Sequence, residues 1–363
     1  MEKVTNRQIF FIILISILSS STIINLPAQA AALSGTGGWV SIAVAALMLI
    51  IPLLLWIYLG NLFPEKTLAD YSGKIVGKSL SKLITIFYTL YFILLLSLFV
   101  RQCSEYVKNE YLPMTPIWAI ILVIVLTCSY SGSKNITDIG RIVEFSGLIV
   151  IVLGAIIHTI MITQGNLIDI MPLYEPKQTW TYLNGSVPLL TCFIGFEVLS
   201  IIPFNEDGKK KRKWYALGAL FVAAFSFIFV IESSFSILSV EDSINYKNSL
   251  FLAIREVKAE YLQLLSRIDI IFIFAWMFAI ICEATLFKNA IDKNFNMLIN
   301  SKKPSLTLWS SAALVFILAN IPLNHEAVEK YFRLFAWYFS TVSIFVIPLI
   351  LFIVVKLRKL DRP

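Results

Sequence analysis

Two apolar segments of this chain are interrupted near their centres by small, polar or Pro-containing stretches. The first interruption reads Ser19-Ser20-Ser21-Thr22-Ile23-Ile24-Asn25-Leu26-Pro27, and the second reads Thr191-Cys192-Phe193-Ile194-Gly195-Phe196-Glu197. Backbone groups that face lipid must be paired, so such a stretch is stable at mid-membrane only where protein shields it or where it lines a cavity. Two interruptions half a chain apart indicate a binding site of the kind that transporters have.

The composition supports a membrane setting. Of 363 residues, 58% are hydrophobic and only 15% are charged, whereas soluble domains carry about 25% charge. The net charge of +7 does not indicate nucleic-acid binding, because the basic residues lie in short loops between apolar runs.

No disulfide framework, metal site or cofactor is predicted, because the cysteines have no C-x-x-C spacing and lie within or at the edge of apolar segments. These are Cys103, Cys128, Cys192 and Cys282.

The hydropathy pattern predicts ten membrane spans, since each spanning helix needs roughly 20 apolar residues. The candidates are 9–33, 39–60, 83–107, 116–131, 142–163, 186–204, 214–239, 264–287, 306–322 and 331–355. Residues 67–80 are too polar to cross and are expected to lie along the inner surface. Residues 246–262 have a similar mixed pattern, which is typical of a solvated face in the outer loop before span eight.

The distribution of Lys and Arg predicts the orientation of these spans. With the N-terminus in the cytoplasm, 21 of the 30 Lys and Arg residues fall in inside segments and seven in outside loops, with Arg101 and Arg267 near membrane depth. This asymmetry supports ten spans with both termini inside. A cleaved signal peptide is an alternative for the N-terminus, but the apolar run from Ile9 to Leu26 is longer than a typical h-region of about 7–15 residues.

Spans one and six start on opposite sides of the membrane because five spans separate them. We therefore expect two five-helix repeats, 1–163 and 186–363, joined by an outer loop at 164–185. In such an inverted repeat the substrate binds at the midplane between discontinuous helices. Half-helix N-termini there offer free N–H groups that suit a carboxylate. The predicted fold class is an all-α polytopic membrane protein with broken helices one and six.

A series of short motifs, in order along nearly the whole chain, resembles a known superfamily. Phe193-Ile194-Gly195-Phe196-Glu197 resembles the span-six signature of amino acid–polyamine–organocation permeases, and Ser20 to Pro27 occupies the place of their unwound first span. More narrowly, the chain is similar to the B subunits of GerA-type spore germinant receptors. The further motifs that carry this likeness are Thr5-Asn6-Arg7-Gln8, Leu26-Pro27, Gly38-Trp39, Asp70-Tyr71, Gly77-Lys78, Arg101, Glu105, Val107-Lys108, Thr115-Pro116, Pro203, the basic run 209–213, Arg267 and Trp276.

The resemblance implies a LeuT-like fold in the inner membrane of a dormant spore. It also implies a complex with a receptor A subunit and a lipoprotein C subunit, and recognition of a small germinant such as an amino acid. Family members often carry glycines in the break of span one, where this chain has Ser20, Ser21 and Thr22. We expect this departure to narrow the pocket or to add hydroxyl contacts.

The two interruptions supply most of the candidate ligand contacts. Ser20 to Asn25 offers backbone amides and hydroxyls, and Gly195 allows close backbone approach. Tyr91 matches a family position that lines the pocket. Small residues can also serve helix packing alone. The candidate ligand-binding residues are Ser20, Ser21, Thr22, Ile23, Asn25, Tyr91, Cys192, Phe193, Ile194, Gly195 and Trp276.

Ionisable residues within the spans are expected to have a partner or a function. Glu197 lies just beyond the second interruption, where it can cap a half-helix or pair with a cation. Arg101 and Glu105 are spaced i, i+4 and can pair with each other. The candidate gating or intramembrane polar residues are Arg101, Glu105, Glu197, Glu232, Asp269 and Glu283.

The leading hypothesis is a germinant-sensing receptor subunit with a permease fold. An amino acid permease is the first alternative, and an ion-conducting channel subunit is the second. Ala279-Ile280-Ile281 offers no hydroxyl for a sodium site, and the span-five lysine of proton-coupled relatives is not evident, so ion-coupled uptake is less supported. An enzyme is not predicted, because the sequence has no Gly-rich phosphate loop, no H-E-x-x-H and no plausibly spaced Ser/His/Asp set.

Overall fold

The computed structural model describes residues 4–246, 248–257, 268–299 and 304–360, and regular structure within these ranges is helical apart from one bridge between Val4 and Phe204. Within these described ranges, six apolar helical stretches are long enough to cross a membrane: Thr22–Leu62, Lys78–Glu110, Ile136–Gln164, Lys209–Leu238, Ile268–Ile299 and Glu326–Leu357. Shorter apolar helices are Asn6–Leu18, Ile117–Gly132 and Pro304–Ala319. The chain is an all-α polytopic membrane protein.

The α-helices follow the hydropathy pattern closely. In the first half they are α1 (Asn6–Leu18), α2 (Leu26–Ser34), α3 (Gly38–Leu62), α4 (Leu68–Val76), α5 (Lys78–Glu110), α6 (Ile117–Gly132) and α7 (Ile136–Gln164). In the second half they are α8 (Thr179–Leu189), α9 (Lys209–Leu238), α10 (Val240–Asn245), α11 (Ser249–Glu256), α12 (Ile268–Ile299), α13 (Pro304–Ala319), α14 (His325–Phe335) and α15 (Ile347–Leu357). Two π-helical turns, Ala336–Ser340 and Val342–Val346, connect α14 to α15.

Both interruptions predicted from the sequence are breaks in the α-helices. The first is a short 3₁₀ helix, Ser21–Asn25, between α1 and α2. Pro27 suits the first turn of α2, because the N–H it lacks would have no partner there. The second follows α8, where the 3₁₀ helices Leu190–Phe193 and Phe196–Ile201 flank Ile194 and Gly195.

Helix α1 lies at the centre of the bundle. Its N-terminus is fixed by a capping box, in which the side chains of Thr5 and Gln8 each accept from the other's backbone N–H. The rest of α1 is apolar on nearly every side, which is the pattern of a helix surrounded by others. It packs against α7 and α9, while α12 packs against α5, α6 and α7. The first interruption is thereby held in the protein interior.

Helix α12 is longer than the segment 264–287 that the hydropathy pattern predicts. It continues to Ile299 because Lys288 and Asp292, one turn apart, neutralise each other inside the bundle at 2.6–2.7 Å. The Leu308 carbonyl oxygen also accepts from Lys288, and the Ser311 hydroxyl donates to Asp292. The predicted span ends at 287 because the average hydropathy falls where Lys288 and Asp292 begin, and hydropathy does not register that the two charges pair.

The two polar segments between predicted spans also contain helix. Within 67–80, α4 packs along α5 and buries Tyr71 and Ile75. Within 246–262, α11 buries Phe251 and Ile254 on one face. Residues 258–262 and Arg267 lie outside the described residues.

Candidate functional site

A cavity of about 680 Å³ with a mixed apolar and polar lining leads from the surface to the first interruption. Thr22 and Asn25 line it from the first interruption, and Pro188 and Thr191 line it from the end of α8 and the turn that follows. The two interruptions also contact each other directly. The remaining lining residues are Ala28, Gln29, Ala32, Leu33, Gln102, Ile244, Asn245, Tyr246, Glu329, Phe332, Arg333 and Trp337. Cavities of this size and mixed lining are typical of small-molecule sites.

Thr22 and Asn25 are the predicted ligand residues that reach this cavity. Thr22 Oγ1 lies 2.7 Å from the Ser20 hydroxyl. The Asn25 side-chain amide donates to the Tyr106 hydroxyl at 3.1 Å, while Asn25 Oδ1 is buried and has no hydrogen-bond partner among the described residues. A buried carbonyl oxygen without a hydrogen-bond partner is costly to the folded state.

Ile23 and Trp276 line a second, smaller cavity. It has a volume of about 170 Å³, is almost wholly apolar, and lies between α1, α7, α9 and α12. Trp276 is buried, and its ring centroid lies 6.0 Å from that of Tyr106. Its indole N–H has no partner within the part of the chain that the structure describes. Tyr106 therefore contacts predicted ligand residues on both sides. The Ser21 side chain lies outside the described part of the structure.

The second interruption is packed more tightly than the first. Gly195 has φ +131°, and a Cβ atom there would lie 2.1 Å from the Ser16 carbonyl oxygen. Only glycine permits this approach of the break to α1. Cys192, Phe193 and Ile194 are buried and line neither cavity, and the Phe193 ring packs on Phe227 with centroids 5.2 Å apart.

Two buried carboxylates flank Gly195. Glu197 accepts from the Gly195 N–H at 2.6 Å and from the Tyr91 hydroxyl at 2.8 Å. The Ser19 hydroxyl lies 2.7 Å from Glu283 Oε2, and Glu283 Oε1 lies 3.0 Å from the position of a Gly195 Cβ. Within the described ranges, neither carboxylate forms an ion pair with a basic residue. Glu197 thus links the second interruption to α5, and Glu283 of α12 links to the first interruption, in each case through a hydrogen bond from an uncharged hydroxyl donor.

The other predicted polar residues lie apart from these carboxylates. Arg101 Nε and Glu105 Oε1 form a buried pair at 2.8 Å along α5. Both carboxylate oxygens of Glu232 are buried without a hydrogen-bond partner among the described residues. Asp269 is buried in the first turn of α12. None of the four lines the large cavity.

Several residues near the site were not predicted from the sequence. Gln102 and Arg333 line the large cavity, and Ser340 lies 3.4 Å from the Tyr91 hydroxyl. Gln102 follows Arg101 in α5 and could have been found from its position on a buried helix. Arg333 and Ser340 gave no local signal, because α14 and the π-helical turns approach the site only through tertiary packing.

Comparison with known proteins identifies the family. The family model described as spore germination protein matches residues 3–328. The chain belongs to the spore germination protein family. It is 24% identical to spore germination protein KB of Bacillus subtilis strain 168, covering 100% of this chain and 97% of that relative. From the same organism, spore germination protein YndE is 23% identical with 99% and 98% covered, and spore germination protein A2 is 23% identical with 89% and 87% covered.

The family assignment is accompanied by a match of fold. The chain superimposes on a substrate-bound, outward-open Na⁺-coupled sialic acid symporter with a TM-score of 0.68 and 14% sequence identity. The match covers 95% of this chain and 80% of the symporter. This germination protein therefore has the fold of a LeuT-type membrane transporter. At this identity the likeness concerns the fold alone.

Proposed function

We propose that this chain is the B subunit of a spore germinant receptor and binds a small germinant, an amino acid, where its two helix interruptions meet. The observation that supports this is the contact between the interruptions at the inner end of the 680 Å³ cavity. Thr22, Asn25 and Thr191 offer hydroxyl and amide groups to a polar ligand. Family membership supplies the link to germination.

The proposed arrangement in the membrane is ten spans with both termini inside, in the inner membrane of the spore. Residues 1–163 and 186–363 form the two inverted five-helix repeats, and 164–185 is the outer connection. The charge asymmetry of the loops supports this orientation. The fold shared with the symporter supports the placement of a binding site between broken helices.

The germinant acts by shifting the balance between two arrangements of the bundle. It can do so only to the extent that it binds one arrangement more tightly than the other. Partner subunits, an A subunit and a lipoprotein C subunit, then relay the change. The family assignment supports such a complex.

The test is to fill the cavity without touching the packed core. Ala32 lines the cavity and is exposed, so Ala32→Trp should reduce the germinant response of spores at least about tenfold by occupying ligand space. Ala313→Trp is the matched control, because Ala313 is also exposed on a helix but does not line the cavity. Immunoblots establish that both variants assemble to the same level. An unchanged dose–response for Ala32→Trp would refute the site.

An amino acid transporter is the second candidate, and the fold shared with a symporter favours it. Uptake of labelled amino acids into liposomes that contain the purified chain distinguishes the two, since a sensor takes up none. A channel subunit would instead show single-channel current when germinant is added.

A further inference from the structure

A groove lies between the N-terminal parts of α1 and α9 and does not share lining residues with the large cavity. Its volume is about 440 Å³, and the surface it offers is almost entirely apolar. The lining residues are Arg7, Phe10, Phe11, Trp214, Tyr215 and Gly218. Trp214 is 65% exposed, so the groove has an open side.

The end of this groove carries a dense positive charge. Residues 209–213 are five consecutive basic residues at the start of α9. Arg212 turns inward and is buried, whereas the four lysines are exposed. Lys210 and Lys211 precede Trp214 and Tyr215 by one helical turn, so they lie on the same face as the groove.

The acidic groups nearby reduce this charge but do not cancel it. Exposed Glu206 and Asp207 directly precede the basic run, and segment 206–213 keeps a net charge of +3. Glu144 is engaged by Arg7, with the Arg7 Nε atom 2.5 Å from Glu144 Oε1. Asp138 pairs with Arg141 at 3.5 Å. Lys213 lies over the Trp214 ring at 5.2 Å and carries its charge to the rim of the groove.

We propose that this groove binds one anionic phospholipid, with an acyl chain along Phe10 and Phe11 and the phosphate at Lys210 and Lys211. Trp and Tyr side chains favour the level of the lipid headgroups. Basic clusters at the ends of membrane helices attract anionic lipids, with about a fivefold gain in affinity for each Lys or Arg. An apolar groove that ends in lysines complements both parts of such a lipid.

Gly218 keeps the groove open. A Cβ atom there would lie 3.6 Å from the Phe10 ring, which is ordinary contact, so alanine fits and a larger side chain fills the space. Beyond Gly218, Phe221 and Phe225 of α9 are exposed, which continues the apolar surface for the acyl chain. The bound lipid would bridge α9 to α1, the helix that leads to the first interruption.

The experiment measures lipid binding to the purified full-length chain by native mass spectrometry, with phosphatidylglycerol and phosphatidylcholine of identical acyl chains. Phosphatidylglycerol should bind more tightly than phosphatidylcholine, and K210Q/K211Q should weaken its binding about thirtyfold. K78Q/K82Q is the matched control, since it removes two exposed lysines, one helical turn apart, from the start of α5. Equal binding of the two lipids, or equal loss in both double variants, would overturn the proposal.

A second pair of variants tests the groove itself. Gly218→Phe should abolish the preference for phosphatidylglycerol, while Gly218→Ala should retain it, with thermal unfolding used to verify that both variants fold. Retention of the preference in a folded Gly218→Phe protein would contradict the placement of the acyl chain. Glycerol phosphate in excess should not compete, because without an acyl chain it lacks the groove contacts. Effective competition would indicate a phosphate site and overturn the lipid assignment.

Discussion

Gly195 is the residue at which the two interrupted segments are most closely fitted. An alanine at this position would have to adopt a backbone φ of +131°, which is unfavourable for any residue with a Cβ atom. Its Cβ would also lie 2.1 Å from the Ser16 carbonyl oxygen. The backbone conformation alone costs about 1–3 kcal/mol, and the clash requires α1 to move. We expect Gly195→Ala to lower the Tm by several degrees, measured in detergent. Gly154→Ala is the control, because a Cβ at Gly154 has no neighbour within 4 Å, and its Tm should be unchanged or higher.

Glu197 is a residue whose two oxygens have different donors. Its carboxylate accepts from both the Gly195 N–H and the Tyr91 hydroxyl. Glutamine keeps one acceptor and turns an N–H₂ group toward one of these donors. Glu197→Gln should therefore destabilise by about 1–3 kcal/mol. Tyr91→Phe should cost about 1 kcal/mol, since it removes the bond to Glu197 and the longer 3.4 Å contact with Ser340.

The coupling between these residues can be measured by a double-mutant cycle on chemical unfolding. The cycle uses Glu197→Ala with Tyr91→Phe, because both of these variants remove the contact between the two side chains. If the hydrogen bond is formed, their two losses should not add. Strict additivity would contradict the Tyr91–Glu197 contact.

At the scale of elements, Arg212 joins three segments at the end of the bundle that carries the N-terminus. Its guanidinium donates to Asn6 at 3.1 Å, to Asn61, and to the backbone carbonyl oxygens of Asn205 and Asp207. It also lies 4.7 Å from the centroid of the Phe204 ring. Five neutral contacts to one buried cation hold α1, α3 and the segment before α9 together.

Arg212→Met should release these segments without unfolding the bundle. We expect faster hydrogen exchange in residues 4–8, 60–65 and 204–208, measured by mass spectrometry, because their shared donor is lost. Lys211→Gln is the control, since Lys211 is exposed and adjacent. Equal hydrogen exchange in Arg212→Met and in the unsubstituted protein would show that the Arg212 contacts do not hold these three segments together.

At the scale of the whole molecule, the ten-span proposal fixes which ends of the helices share a side. Single cysteines at Lys210 and Arg358 should react with a membrane-impermeant maleimide from one side, and cysteines at Met114 and Leu323 from the other. The native cysteines are all buried and should give little background. Labelling of Lys210 and Arg358 from opposite sides would exclude an even number of spans between them.

The sequence predicted the fold better than the site. Helix positions and both interruptions follow from local properties, namely apolar runs, Pro27, and a glycine at 195. The carboxylate contacts join residues far apart in the chain, as Tyr91 to Glu197 and Ser19 to Glu283 do. Sequence indicated that Glu197 and Glu283 need partners, but only packing supplies them.

The sequence by itself determined that this protein is a helical membrane protein of the spore germination family with two broken helices. The reason is that lipid demands long apolar helices and tolerates a break only inside protein. Only the tertiary structure decided which side of each break faces the cavity. Thr22 and Asn25 line it, whereas Phe193 packs on Phe227, because the rotation of a broken segment depends on the helices it meets from elsewhere in the chain.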